Sequence, residues 1–336
     1  MLTPRQNMLE TLKKDGKPDR LLNQYEAFGF AFGNPLINYV RGNMYPGMEP
    51  TQDAWGTPMI WPAHVPGAMP HITETNKPIP DITCWRDFVK VPDLIANCSA
   101  DEMWEPYIQN FEKLDKEQKL TTALVSTGVF ERMHYLMGFE DTLCNFMLEP
   151  EAMEDLACAI GEYRLKGFKL IYEHCKPEVL LSHDDWGDKQ NLFIQPELWR
   201  QFIKPQYEKG YGYMHDKGVI ILHHADSICE PIIEDMVDIH IDIWQGVLPQ
   251  NDIVKIQKQL DGRMVLMGGI DAAIVDREDA TEEEIRAEVR RACDTYAPGG
   301  HFVPCITYGF PGCIYKHVDP IISDEINRYN KEHFGI

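Results

Sequence analysis

The sequence predicts an α/β fold, a (β/α)8 TIM barrel with an elaborated N-terminal region, on three observations. From residue 100 onward, helical segments of 3.6-residue periodicity alternate with short apolar runs bounded by turn residues, the pattern of βα units. Those runs are apolar throughout their centres, as parallel strands covered on both faces must be. No GxGxxG follows the first strand and no Walker loop is present, so an open nucleotide-binding sheet lacks its phosphate cradle. With 336 residues and 44% hydrophobic side chains, one barrel can span 1–336 as a single domain.

Each element follows in chain order. Two less regular runs, Leu21–Tyr25 and Ala54–Ile60, supply the first two strands of the eight needed for closure. The Pro- and Gly-rich stretch 34–80 has no clear period and reads as an extended loop region near the barrel mouth. The remaining six strands are Thr121–Val125, Val179–Ser182, Val219–His223, His240–Trp244, Met264–Met267 and His301–Pro304. Between them, Thr281 and Glu284 form a capping box for a helix to Tyr296, whose stripe is Ile285, Val289 and Ala292 and whose stop is Pro298-Gly299-Gly300. Helices from Pro196 to about Lys217 and from Pro231 to Met236 start on proline, which suits a first turn.

Composition excludes several classes of function. With 53 acidic against 32 basic side chains, the net charge of −21 repels nucleic acid and anionic lipid. No run approaches the roughly 18 apolar residues of a membrane span, and the first residues do not form a signal peptide, so a cytoplasmic location is expected. The nine scattered cysteines include no CxxC pair, which argues against a disulfide framework or zinc ribbon. A homodimer is compatible with the sequence.

Barrel chemistry gathers at the C-terminal ends of the strands. There the sequence reads Ser182-His183-Asp184-Asp185-Trp186-Gly187, His223-His224-Ala225-Asp226, Gln245, Gly268-Gly269-Ile270-Asp271, and Cys305 followed by Thr307 and Tyr308. Imidazole, carboxylate and thiolate are ligands for a borderline-soft cation such as Zn²⁺, so His224, Asp226 and Cys305 are candidate metal ligands if the strands and loops bring them together across the mouth. His223 should face the other way from His224 because strand side chains alternate. His183, Asp184 and Asp185 are candidate catalytic groups, the carboxylates as base or substrate-orienting group, or else as helix caps. Tyr25, Phe28, Ser126, Trp186, Gln245 and Tyr308 are candidates for lining a pocket that takes an aromatic substrate, although the aromatic and methionine group around Tyr25 and Phe28 also suits a core.

Four segments resemble the uroporphyrinogen decarboxylase superfamily and its methyltransferase branch. They are Ser126–Arg132 with Leu136-Met137-Gly138 and Glu149-Pro150-Glu151; His183–Gly187 with Pro196–Trp199 and Ile203-Lys204-Pro205; His224–Ser227 with Pro231–Met236; and Met267–Asp271. The first 120 residues match far less. The decarboxylase itself has an arginine-rich stretch after the first strand for the carboxylates of its substrate, whereas Asn23–Phe32 holds no arginine. Burying unpaired carboxylates there is costly, so porphyrinogen decarboxylation is not expected.

Corrinoid-dependent methyltransferases of that branch carry a zinc-binding His-x-Cys and a later Cys. The resemblance implies that His224 and Cys305 fill two of those places and that Asp226 replaces the first cysteine. A harder ligand set suits an oxygen-bearing donor. The implied activity is transfer of a methyl group from a methoxylated aromatic to Co(I) of a separate corrinoid (cobalamin) protein, an O-demethylation. Alternatives are a methylcorrinoid:carrier methyltransferase with tetrahydrofolate or a thiol as acceptor, a metal-free decarboxylase using Asp184 or Asp185, and a non-catalytic binding protein.

Overall fold

The computed structural model describes residues 1–308 and 313–335. Seven strands form one parallel sheet in sequence order: β1 (Phe28–Phe30), β2 (Leu120–Val125), β3 (Val179–His183), β4 (Ile220–His224), β5 (Ile243–Val247), β6 (Val265–Ile270) and β7 (Phe302–Ile306). Helices cover its outer face, so strand residues such as Val179, Ile221, Ile243 and Val265 are buried. The last six strands match the six apolar runs, with β6 running three residues further and β5 shifted by three. There His240 instead takes a left-handed turn conformation, φ 66°.

The eight-stranded closed barrel is corrected to a curled sheet of seven strands without closing pairs among the described residues. Leu21–Tyr25 is not a strand. The backbone N–H and C=O of Leu21 bond instead to the Asn330 side chain of the C-terminal helix (3.0 and 2.9 Å), and Asn23 to Phe28 winds through a turn. Gln24 bridges the gap that this leaves, donating its N–H to the Pro304 carbonyl at 3.3 Å and accepting from Ile306 N–H at 3.3 Å.

Ala54–Ile60 also fails to join the barrel. Gly56 sits at φ +82°, and Pro58 has no N–H to give a central ladder. Only Pro58–Ile60 is extended, as the middle of a small antiparallel sheet with Thr51–Gln52 and Met69–Pro70. Within 34–80 there is also a helix, Pro35–Arg41. A buried ion pair of 2.6 Å from Asp53 to Arg132 fastens this region to the helix Val129–Met137 that follows β2.

The capping box at Thr281 and Glu284 is present, and helix Glu282–Tyr296 ends in a 3-10 turn at Ala297–Gly299. The segment from Pro196 contains a π-helical stretch, Trp199–Ile203, before continuing as Lys204–His215. No helix is long and apolar enough to cross a membrane among the described residues.

Candidate active site

Register builds the site. His183 on β3 pairs with His224 on β4, and His224 pairs with Gln245 on β5, so the three side chains share one rung at the strands' C-terminal ends. Adjacent strands in register present equivalent positions to the same face. The preceding rung, Ser182, His223 and Trp244, points to the helix side. His223 is fully buried there, bonded through Nδ1 to the Tyr211 hydroxyl (2.7 Å) and stacked on Trp186 at 4.1 Å. The alternation expected at His223 and His224 is therefore observed.

A bulge in β5 helps seat Gln245. Gly246 adopts φ +92°, and a Cβ there would lie 3.0 Å from the carbonyl oxygens of Ala225 and Thr307. Glycine is the residue that fits both demands.

Each imidazole is anchored through Nδ1. His183 Nδ1–H donates to Glu131 Oε2 at 2.8 Å, and His224 Nδ1–H donates to Gln245 Oε1. Gln245 is oriented for that role because its Nε2 donates to the Ile306 carbonyl. The rings stack with centroids 4.7 Å apart, and His183 Nε2 lies 3.4 Å from Asp185 Oδ2. Ligand atoms of His183, Asp185 and His224 all fall within 4.8 Å of one another.

Electrostatics separates the two rings. Burial disfavours charge on His183, but Glu131 and Asp185 outweigh it and hold its pKa well above the ordinary imidazole value. Burial also opposes charge on Asp185, yet His183 and His224 hold that carboxyl down to about 2. His224 is lowered by burial and by His183, so it is neutral with its Nε2 lone pair unspent. Two imidazoles fixed at Nδ1 by an acid or amide, beside a carboxylate, have the donor set and outer-shell support of a divalent-cation site, a bound cation taking the place of the His183 Nε2 proton.

The expected ligand set was His224, Asp226 and Cys305, and the structure groups them differently. Asp226 borders the cluster: its N–H donates to Asp185 Oδ1 at 3.1 Å, and burial and Asp185 push its own carboxyl up to about 7. Cys305 is fully buried on β7, opposite Gly269, with Sγ 3.9 Å from Gln24 Oε1. Gln245 touches both Cys305 and His224. Burial pushes that thiol's pKa up.

Asp184 is completely buried and accepts from Phe130 N (3.1 Å), Glu131 N (2.9 Å), Trp186 Nε1 (2.9 Å) and the Tyr207 hydroxyl (2.7 Å). Burial and Glu131 push it up to about 6 despite these donors. It fastens the first turn of helix Val129–Met137 to the end of β3, and so positions Glu131 against His183. The approach is close: a Cβ on Gly128 would lie 1.9 Å from Asp184 Cγ.

Among the expected pocket residues, Gln245 bonds to the cluster. Tyr25 and Phe28 pack edge to face at 6.4 Å within the core, and Trp186 is buried behind the cluster. Ser126 lines a cavity beside β2. Tyr308 is partly exposed and bonds to Asp276.

Glu131 was not singled out from the sequence. Its signal was present, since it stands three residues after Gly128 and closes a capping interaction with Gly128 N–H at 3.1 Å.

In fold, the chain is similar to a methyltransferase from Methanosarcina mazei, with a TM-score of 0.66, 13% sequence identity, and coverage of 98% of this chain and 99% of that one. No curated protein matches it in sequence at the significance required. Residues 96–311, more than half of the chain and including every residue of the cluster, match the family described as uroporphyrinogen decarboxylase (URO-D). The chain belongs to the URO-D family.

Proposed function

We propose that this URO-D family member is a corrinoid-dependent methyltransferase that takes a methyl group from a methoxylated aromatic and delivers it to Co(I) of a separate corrinoid protein. The observation that carries the reading is the anchored pair of imidazoles beside Asp185. The methyltransferase-branch motifs and the likeness to the Methanosarcina mazei protein favour methyl transfer within the family.

We assign a divalent cation, zinc first, to His183, Asp185 and His224, replacing the set expected from sequence. Such a cation supplies Lewis acidity to the ether oxygen. The chain's own contribution is positional. Glu131 and Gln245 fix the tautomers and planes of the two rings, and Asp184 holds the helix that carries Glu131. In the balanced reaction the methyl C–O bond breaks, a Co–C bond forms, and the phenolate takes up one proton.

The test incubates the purified chain with reduced corrinoid protein and a panel of methoxyarenes while following the Co(I) absorbance. Loss of that absorbance with release of one phenol per methyl moved, abolished in His224→Ala, supports the reading. Phenol release without corrinoid, or no turnover of any methoxyarene by metal-loaded protein, overturns it.

A further inference from the structure

A second feature lies outside the rung of histidines. Between helix Pro35–Arg41, helix Pro150–Cys175 and the end of β2 runs a narrow cavity that opens to solvent. One part of the wall is apolar, with Ile37, Val40 and Leu94; the other carries Arg41, Arg132 and Arg164. No aspartate or glutamate lines it among the described residues. In a chain of net charge −21, three guanidiniums thus line one cavity.

The three arginines are not equivalent. Arg132 is neutralised by Asp53 at 2.6 Å and also donates to Thr57 Oγ1 at 2.9 Å. Arg164 is buried, donates to the Thr127 carbonyl at 2.5 Å and to Ser182 Oγ at 2.7 Å, and has the carboxylates of Asp184 and Glu131 near enough to favour its charge. Arg41 ends its helix, is half-buried, and has neither an ion pair nor a hydrogen bond among the described residues. A planar fork of donors at the edge of an apolar cavity matches a carboxylate.

We propose that this cavity binds a small apolar carboxylate, its hydrocarbon part against Ile37, Val40 and Leu94 and its carboxylate on Arg41. The site is independent of the methyl-transfer reading, because none of these side chains belongs to the histidine cluster. Arg41 is the reading head. Arg164 is a positioning residue that holds the left-handed Thr127 turn, φ 66°, at the end of β2.

Calorimetric titration of the full chain with benzoate, and with uncharged benzamide of the same shape, tests this. Benzoate should bind saturably and at least tenfold more tightly than benzamide. Arg41→Gln should weaken benzoate at least tenfold while leaving benzamide unchanged, and Ile37→Trp, which fills the apolar end, should weaken both. Arg86→Gln, at an exposed arginine paired with Asp155 elsewhere, should match the unaltered chain. His224→Ala should retain benzoate binding, which separates this cavity from the metal cluster and leaves the inference standing even where methyl transfer fails. Equal affinity for benzoate and benzamide, absence of saturable binding, benzoate binding lost in His224→Ala, or full benzoate affinity in Arg41→Gln overturns it; an unchanged melting temperature of the Arg41→Gln chain confirms that a loss is not unfolding.

Discussion

His224 and Gln245 occupy one rung of adjacent strands, and the amide oxygen of Gln245 accepts the Nδ1 proton of His224. That bond decides which nitrogen of His224 faces the cluster with a lone pair. Gln245→Ala should therefore lower zinc affinity by about 10–100-fold, the usual effect of removing an outer-shell partner. Competition against a chromophoric chelator measures it. Unchanged affinity would show that His224 needs no such anchor or is not a ligand.

Glu131 stands in the same relation to His183, with an additional bond from the Tyr135 hydroxyl at 3.0 Å. Glu131→Gln keeps the shape and an oxygen for Gly128 N–H but removes the charge. Zinc affinity should fall about tenfold or more, by the same outer-shell argument. The helix should remain, as read by an unchanged far-ultraviolet circular dichroism spectrum. Loss of the helix together with affinity would mean that Glu131 is mainly a capping residue.

Much of this arrangement was legible in the sequence, and its limits have physical causes. The six runs from Thr121 onward become strands because each is apolar enough to be covered on both faces. Leu21-Leu22 is equally apolar but is buried singly, its backbone satisfied by Asn330, more than 300 residues away in the chain. Local pattern holds no trace of such a bond. Period-two alternation separated His223 from His224 within one strand, yet it says nothing about the register between strands. The pairing of Ser182 with His223 sets His183 beside His224. Glu131 arrives from the helix after β2, a contact that depends on Gly128 and Asp184 meeting.

That meeting yields a stability prediction. Gly128→Ala places a methyl group where the Asp184 carboxylate sits, and that carboxylate is held by four donors. Overpacking of this kind typically costs about 1–3 kcal/mol. Urea denaturation should show a lower midpoint for Gly128→Ala, and zinc affinity should fall with it because Glu131 is displaced. A normal midpoint would mean that the turn repacks without strain.

Away from the site, Asp235 links two helical segments that flank β4. It is buried, and its carboxylate accepts from Arg200 Nε and Lys204 Nζ, each at 2.9 Å. Burial opposes its charge, but the two cationic partners outweigh burial and lower its pKa. A carboxyl lowered in the folded state contributes stability that is complete above the unfolded carboxylate value and is lost as pH falls through the folded one. Asp235→Asn should therefore destabilise the chain at pH 7 by about 1.5–3 kcal/mol, the range for hydrogen bonds to charged groups. Well below the ordinary carboxylate value the two chains should converge, as the native carboxylate becomes protonated too. Denaturant midpoints of both chains at the two pH values decide the matter: a gap that stays constant with pH would place the effect in packing rather than in the charge of Asp235.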